Sequence, residues 1–448
     1  MHSFGSNLRR WGFWKELISF RSLVIVSPVF LLTVKHWTNL VVLVIFGGAL
    51  FFLFREKRIT FQNPYEIKRW RWIISLTLIG PLSAVIIGQL LRGEFYPPNF
   101  DAPLRIAMCT AIFLAISQGW LWRQSKESIT FLWAKYTFPA MILWTFINRP
   151  SWSITWGAHR ATTSFVDPLT FGSLTLLFAL FGIATLSFFW KNLIITHRIL
   201  IFISALLGLY LSVNSGSRTG WLVVPLFLIT LLRGFTLQHY GREKAISVSI
   251  LIIGGILLLV SFQPFLLNKI YLTIFELRNY QWNSLNPDSP VAMRISFYRM
   301  AVFYFFESPF KGWGDLGWKI LMDSPEITQY ASKFTIDFPK NGFHNEIFTS
   351  AVRSGIWGLI SSVVLLFIPA FLALNTRLKN TSQTTNLKSL FLLFFSIHMI
   401  VAGMTTEVTN LVFLSSFFGL SLSVFCGEIL NSLFTHSRSA HRKTVLLI

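Results

Sequence analysis

Three stretches of the 448-residue chain combine cationic or imidazole side chains with residues that start helices. In the first, residues 214–221, Arg218 comes shortly before an apolar run that begins at Trp221, and Ser215 or Ser217 is placed to cap a helix. A helix start presents free backbone N–H groups and a partial positive charge, and the Arg218 guanidinium adds a bidentate donor. This combination suits a phosphate or diphosphate. A plain glycine-containing turn, with Arg218 extended to lipid headgroups, is the alternative explanation.

His344 and Asn345 form the second stretch, where a hydrophilic segment ends and a long apolar run begins. Imidazole is the side chain most easily poised as a general base near neutral pH, and a helix start is an exposed place for it. A single His in such a position is more often structural. Because Arg218 and Arg294 are predicted below to share its side of the membrane, we take His344, Arg218 and Arg294 as the candidate catalytic residues.

The third stretch places His159 and Arg160 shortly before the sequence Asp167-Pro168, which starts another apolar run. Arg160 is a further candidate ligand for a phosphate group. Together with His159, Ser217 and Asn345, it forms the candidate substrate-binding set. Asp101 and Arg105, four residues apart at another helix start, have the spacing to pair with each other.

The composition of the chain requires a bilayer. Hydrophobic residues make up 53% of the chain and charged residues 13%, with a mean hydropathy of +0.58, which is more apolar surface than one soluble core buries. A net charge of +21 is also typical of nucleic-acid-binding proteins, but those gather their charge on a soluble basic module. Here short clusters of Lys and Arg separate apolar runs. We therefore expect membrane lipids, and no nucleic acid, among the partners.

Apolar runs long enough to cross the hydrocarbon core predict an all-α polytopic membrane protein with about twelve transmembrane helices. The runs cover residues 18–34, 37–54, 72–91, 103–121, 128–147, 166–190, 198–213, 219–233, 245–263, 345–375, 387–404 and 408–430.

Lys and Arg residues fall unevenly on alternate connections between these runs, and this asymmetry predicts the orientation. Most of the 39 lie in the N-terminal segment, in 55–71 and 122–127, around Lys191 and Arg242, and in 377–388 and 438–443. The short connections of the opposite set hold only Lys35, Arg92, Arg105, Arg149, Arg160 and Arg218. The first set is therefore predicted to be cytoplasmic, together with both termini. All the candidate catalytic residues then face outward.

One hydrophilic segment, residues 263–343, has room to fold outside the membrane, on the outer side. The predicted organisation is nine transmembrane helices in 1–262, this large loop in 263–343, and three transmembrane helices with a cytoplasmic C-terminus in 344–448. Aromatic residues such as Tyr271, Trp282 and Trp313 recur in the loop. Since Tyr and Trp favour the headgroup zone, we expect short amphipathic helices against the outer leaflet. Stacking on sugar rings is the alternative.

Several common motifs are absent from the sequence. It has no Walker A loop, no Gly-rich dinucleotide fingerprint, no HExxH and no Asp-x-Asp pair. Its two cysteines, Cys109 and Cys426, lie in apolar runs and indicate no metal site. These absences disfavour ATP-driven transport and transfer from nucleotide sugars, and we expect neither a metal nor another cofactor.

The dipeptide His344-Asn345, followed by Gly355 and Gly358, resembles the ligase pattern H-[NSQ]-x9-G-x-x-[GTY] of the O-antigen ligase and polymerase superfamily of bacterial envelope glycosyltransferases. Residues 218–222 also fit the R-x3-L pattern of the ligases. The resemblance implies transfer of a preassembled glycan from undecaprenyl diphosphate to the lipid A core oligosaccharide. The reaction would take place at the periplasmic face of the bacterial inner membrane, and the large loop would be periplasmic.

The same resemblance implies a role for each candidate residue. His344 would deprotonate or orient the acceptor hydroxyl, and Arg218 and Arg294 would bind the diphosphate, with Arg160 as a helper. Since a lipid diphosphate is already a good leaving group, neither metal nor nucleotide is needed, and a single displacement would invert the anomeric carbon.

Three alternatives remain open on the sequence. An O-antigen or exopolysaccharide polymerase uses the same donor with a second carrier-linked glycan as acceptor. A protein O-oligosaccharyltransferase is another enzyme of this kind. A lipid or polysaccharide transporter would use the arginines to bind its substrate without chemistry.

Thiol labelling tests the predicted orientation. In a background with Cys109→Ala and Cys426→Ala, a membrane-impermeant reagent should modify His344→Cys and Arg218→Cys variants from the outside of intact spheroplasts. A Ser125→Cys variant should react only after the membrane is permeabilised. Modification of position 344 or 218 from the cytoplasmic side alone would exclude an outer catalytic site.

Overall fold

The computed structural model describes residues 19–55, 65–122, 127–148, 151–153, 160–217, 219–239, 264–315, 317–378, 383–409 and 411–445. The predicted run 245–263 and the candidates His159 and Arg218 lie outside these residues. The described residues are almost entirely helical. Their two short strands, β1 (Ser151–Ser153) and β2 (Arg160–Thr162), pair antiparallel.

The helices are numbered in chain order. The first nine are α1 (Phe20–Val26), α2 (Trp37–Arg55), α3 (Tyr65–Arg92), α4 (Asp101–Ser117), α5 (Ile129–Leu132), α6 (Phe138–Ile147), α7 (Pro168–Phe189), α8 (Ile195–Asn214) and α9 (Val223–His239). The large loop contains α10 (Pro264–Arg278), α11 (Pro290–Glu307), α12 (Pro325–Thr328) and α13 (Lys333–Asp337). The chain then returns to the bundle with α14 (Glu346–Leu378), α15 (Gln383–Gly403) and α16 (Val412–Val445).

Within the described residues, eight helices are long and apolar enough to cross a membrane: α2, α3, α4 with its preceding turn, α7, α8, α14, α15 and α16. The prediction of an all-α polytopic membrane protein is thus confirmed, but the count of twelve spans is not. The run 18–34 differs from its prediction, because α1 ends at Val26 and turns follow it. Pro28, which has no backbone N–H to donate, lies directly after this end.

Small residues allow close packing at the centre of the bundle, where α16 lies against α4. Gly419 faces Cys109, and Gly427 faces Ile116. Between them, the Ser423 hydroxyl donates to the Cys109 carbonyl at 2.7 Å. Small side chains spaced by four residues let two helices approach without a gap, which is how transmembrane helices gain packing energy in a solvent as apolar as themselves.

The helices alternate in direction, so one end of the bundle collects the C-terminal ends of α3, α8 and α15 and the N-terminal ends of α4, α7, α14 and α16. We call this end the site end. The large loop also contacts it, since the Tyr298 hydroxyl of α11 donates to the Met404 carbonyl at 2.9 Å. Arg55, Lys68 and Arg69 lie at the opposite end of α2 and α3.

Helix α14 is broken near its site end. Ser354 (φ −128°, ψ 16°) and Gly355 (φ 62°, ψ −145°) leave the helical conformation. The Gly355 backbone lies in a region that side chains other than glycine enter only with strain. The Pro309 carbonyl oxygen also occupies the space that a Cβ at this position needs. Position 355 therefore requires glycine on both counts.

Residues 309–314 of the large loop fill this break. The backbone pairs are Trp313 N–H to Val352 C=O (2.8 Å), Gly314 N–H to Arg353 C=O (3.0 Å) and Ile356 N–H to Pro309 C=O (2.7 Å). The Arg92 guanidinium adds bonds to the carbonyls of Lys311 (2.6 Å) and Arg353 (3.0 Å). The break is therefore the place where the loop is tied to a transmembrane helix.

A Gly355→Ala substitution should destabilise the protein by about 1–3 kcal/mol through backbone strain alone, and by more if the Pro309 carbonyl has to move. The measurement is the apparent melting temperature of the purified protein in detergent. Gly47→Ala is the matched control, because Gly47 lies within α2 with nothing near its missing Cβ, and an alanine there should be neutral or stabilising. Equal melting temperatures for both variants would contradict the proposed importance of the break.

Candidate active site

His344 lies at the site end, between the large loop and the first residue of α14. Its backbone has a φ of 50°, a left-handed conformation that is uncommon outside glycine. The Glu407 carboxylate holds it there: Glu407 Oε1 accepts the His344 backbone N–H at 3.3 Å and the Thr349 hydroxyl at 2.9 Å. Thr349 Oγ1 in turn accepts the Phe343 backbone N–H at 2.9 Å. The backbone that carries the imidazole is therefore fixed by a connected set of hydrogen bonds.

The His344 ring lies against α11 of the large loop. It stacks on Phe297 with ring centroids 5.7 Å apart and planes at 29°, and Phe338 is 6.5 Å away. Arg294 lies on α11 one turn before Phe297 and is exposed. The loop thus supplies both a wall for the imidazole and a cation beside it.

These surroundings lower the pKa of His344. Burial is the largest cause, because it disfavours the charged imidazolium, and the Arg294 guanidinium lowers the pKa further by repulsion. Asp167 acts in the opposite direction and raises it. Since the combined shift is downward from 6.5, the imidazole is neutral near pH 7 and has a lone pair to accept a proton.

Asp167 is the N-cap of α7. Its Oδ1 accepts the backbone N–H groups of Leu169 (2.9 Å) and Thr170 (3.0 Å), and Pro168 follows in the first turn. The Asp-Pro sequence predicts this helix start. The electrostatic effect of Asp167 on His344 was not predicted, because the two residues are distant in the chain and only the packed bundle brings them together.

Arg160 and Ser217 also come together near the start of α7. Arg160 Nε donates to the Ser215 carbonyl at 2.6 Å, beside Gly216, whose φ is 67°. The Ser217 hydroxyl donates to the Leu169 carbonyl at 3.1 Å, two residues after Asp167. Ser217 therefore links the segment after α8 to the start of α7, and its role as a helix cap stays a prediction. Two of the three stretches found in the sequence meet at this helix start.

Asn345 caps α14. Its Oδ1 accepts the backbone N–H groups of Ile347 (3.0 Å) and Phe348 (3.1 Å), and its Nδ2 donates to the Met404 carbonyl at 3.5 Å. The side chain is buried and occupied by these bonds. The His-Asn pair thus has a structural reason: the Asn starts the helix immediately after the His, and its role as a substrate ligand stays a prediction.

Glu407 and Phe297 are the main residues of the site that the sequence did not single out. Phe297 is one of many aromatic residues in the large loop, and Glu407 lies in no motif that would mark it in the sequence. Among the described residues, no group of three or more His, Cys, Asp or Glu side chains is arranged to hold a metal ion.

Replacing Arg294 by Gln should raise the pKa of His344, because it removes a positive charge that disfavours the imidazolium while burial remains. The measurement is an NMR titration of ¹⁵N-histidine-labelled protein, with the His344 signals assigned by their loss in His344→Gln. Wild-type His344 should titrate below 6.5. Arg278→Gln, an exposed arginine at the end of α10, is the control and should leave the titration unchanged. A downward shift in Arg294→Gln would contradict this account.

Comparison with known proteins adds the family. Residues 200–363 match the family described as O-antigen ligase, and this range contains Ser217, Arg218, Arg294 and His344. An uncharacterized protein of Haemophilus influenzae (strain KW20 / Rd) is 25% identical over 203 residues, which is 45% of this chain and 49% of that protein. The chain therefore spans about half the length of this relative. In this multi-pass helical membrane protein, residues 200–363 are thus the segment that matches the O-antigen ligase family.

Proposed function

We propose that the protein is an O-antigen ligase that transfers a preassembled glycan from undecaprenyl diphosphate to the lipid A core oligosaccharide. The reaction takes place at the periplasmic face of the bacterial inner membrane. The observation that carries the proposal is the half-buried imidazole of His344, whose pKa is lowered by burial and by the Arg294 guanidinium, within the segment 200–363 that matches the family.

In this proposal His344 takes the proton from the attacking acceptor hydroxyl. A base must be unprotonated to do so, and the lowered pKa of His344 keeps it unprotonated at neutral pH. The fixed backbone at Glu407 and the ring contact with Phe297 hold the imidazole in one orientation. Such preorganisation lowers the entropy lost on reaching the transition state.

Asp167 contributes once the proton has been transferred. Its carboxylate stabilises the imidazolium that forms on His344, since Asp167 raises the pKa of that imidazole. The capping bonds to the start of α7 hold this carboxylate in position. Asp167 is thus a positioning and charge-stabilising group and does not itself touch the acceptor.

The arginines bind the diphosphate. Breaking the bond between the anomeric carbon and the carrier adds negative charge to the leaving diphosphate, and guanidinium groups stabilise that charge. Arg294 is exposed beside His344, and Arg160 lies near the start of α7, where it bonds to the Ser215 carbonyl. Arg218 is assigned to the same role from its place in the family motif. Direct displacement inverts the anomeric carbon and requires no metal.

The test is transfer by purified protein in vitro, with an undecaprenyl-diphosphate-linked glycan and rough lipopolysaccharide as substrates. His344→Ala should reduce the rate about 10²–10⁴-fold, the usual contribution of a general base. Arg294→Ala and Arg218→Ala should each reduce it about 10²-fold or more, because the leaving-group charge loses a donor. Arg278→Ala is the control and should retain the wild-type rate.

The product identifies the reaction. Glycan-capped lipopolysaccharide supports the ligase. Longer carrier-linked chains without capped lipopolysaccharide would instead indicate a polymerase. Movement of carrier-linked glycan across the membrane without any new glycosidic bond would indicate a transporter. Wild-type rates in His344→Ala, with a melting temperature equal to that of the parent, would refute the role of this residue.

A further inference from the structure

Two adjoining cavities lie at the site end, one of them lined by Glu407, whose carboxylate bonds to the His344 backbone. The inner cavity has a volume of about 430 Å³ and lies between the ends of α3, α4 and α14. The outer cavity has a volume of about 440 Å³ and opens beside the connection between α3 and α4. Asn99, Gly314 and Asp315 line both cavities. We call the pair the polar cleft. Its lining includes Glu407 but none of His344, Arg294, Arg160 or Asp167.

The outer half of the polar cleft is walled by aromatic rings. Phe95 is 80% exposed and Tyr96 is 41% exposed, although both are large and partly apolar. Trp313 lies opposite, and its indole N–H is already donated to the Tyr304 carbonyl at 2.8 Å. Trp313 is therefore available to a ligand through its ring, because its indole N–H is already bonded. The Tyr96 backbone is held by two bonds to Gln89 (3.0 and 3.1 Å), so its position does not depend on its own ring.

The inner half combines apolar side chains with oxygen atoms. Asp101, Asp315, Glu346 and Glu407 contribute carboxylates, and several Ser and Thr residues contribute hydroxyls. Carboxylates accept hydrogen bonds, and hydroxyls both donate and accept them. A cavity that combines such groups with aromatic walls matches a pyranose ring. The C–H faces of that ring pack on aromatic surfaces while its hydroxyls bond to polar atoms.

The charge of the polar cleft excludes one class of ligand. Its two guanidinium groups are committed within the protein: Arg92 pairs with Glu94 at 2.9 Å and bonds to two carbonyls, and Arg353 pairs with Asp315. Asp101 pairs with Arg105 at 2.8 Å, as its spacing predicts, and the carboxylates that line the cleft remain more numerous than the guanidinium groups around it. The cleft thus repels a diphosphate, which finds its cations on the His344 side, and accepts an uncharged or amino-bearing ligand.

We propose that the polar cleft is a binding site for an oligosaccharide chain, uncharged or amino-substituted, which enters past Tyr96 and extends toward Glu407. Glu407 joins the two regions, because its carboxylate lines the cleft and also holds the His344 backbone. Assignment of the bound chain to the acceptor core or to the donor glycan rests on the proposed transferase function. The proposal that the cleft binds a saccharide does not rest on that function.

The test is direct binding of two lipid-free saccharides to the full-length protein in detergent, by saturation-transfer NMR and calorimetry. The probes are the core oligosaccharide of rough lipopolysaccharide, delipidated, dephosphorylated and freed of its acidic inner sugars, and the free glycan repeat unit. At least one should bind wild-type protein, and Tyr96→Ala should weaken its Kd roughly fivefold or more through loss of the ring contact. Tyr96→Phe should retain binding. Tyr271→Ala, which removes a 65% exposed ring outside the cleft, should also retain it.

Asn99→Ala provides a second variant from the shared wall of the two cavities. Binding of the core oligosaccharide identifies the acceptor chain and binding of the repeat unit the donor chain, and either result supports the cleft. No binding to wild-type protein, or equal Kd values in wild-type, Tyr96→Ala and Asn99→Ala, would overturn it. Binding should survive in His344→Ala. Saccharide binding without transfer would therefore refute the proposed ligase function and support the saccharide site. Transfer with an unchanged saccharide KM in Tyr96→Ala would support the ligase function and refute the saccharide site.

Discussion

The break in α14 at Ser354 and Gly355 is the constraint on which the site end depends. A helix in lipid has no water to pair its backbone groups, so a break is stable only where other protein atoms take up the freed bonds. Residues 309–314 of the large loop do this, and Pro309 follows α11 by two residues. The same contact that repairs the helix thereby fixes α11, which carries Arg294 and Phe297. The geometry around His344 therefore depends on glycine at position 355, because any side chain there would meet the Pro309 carbonyl.

The motif that begins at His344 acts as one structural unit. Asn345 caps the helix and Gly355 breaks it. The strained backbone of His344 is retained because Glu407 accepts its N–H group and Thr349, itself bonded to Glu407, accepts the N–H group of Phe343. An uncommon backbone conformation persists only where its surroundings over-determine it. The spacing between His344 and Gly355 is therefore the length of helix between the imidazole and loop residues 309–314, which support α11 beside it.

Two electrical environments lie side by side at the site end. Arg294 and Arg160 lie on the His344 side together with the Asp167 carboxylate, and the polar cleft contains more carboxylates than guanidinium groups. In the proposed transfer, the bond between the anomeric carbon and the anionic diphosphate breaks while the acceptor hydroxyl bonds to the same carbon. The cations on the His344 side would stabilise this leaving group, and the carboxylates of the proposed saccharide site would disfavour its binding there.

Hydropathy and charge asymmetry along the chain determined the all-α membrane class, the outline of most spans and the presence of one large loop, because these are local properties of the residues themselves. The residue types and spacing also determined the candidates His344, Arg218 and Arg294. Only the tertiary structure decided that α1 stops at Val26, that Asn345 is a helix cap, and that Asp167 acts on His344. It alone brought Glu407 to His344 from 63 residues along the chain. Such pairings depend on which helix ends pack together, and no local pattern in one sequence records that.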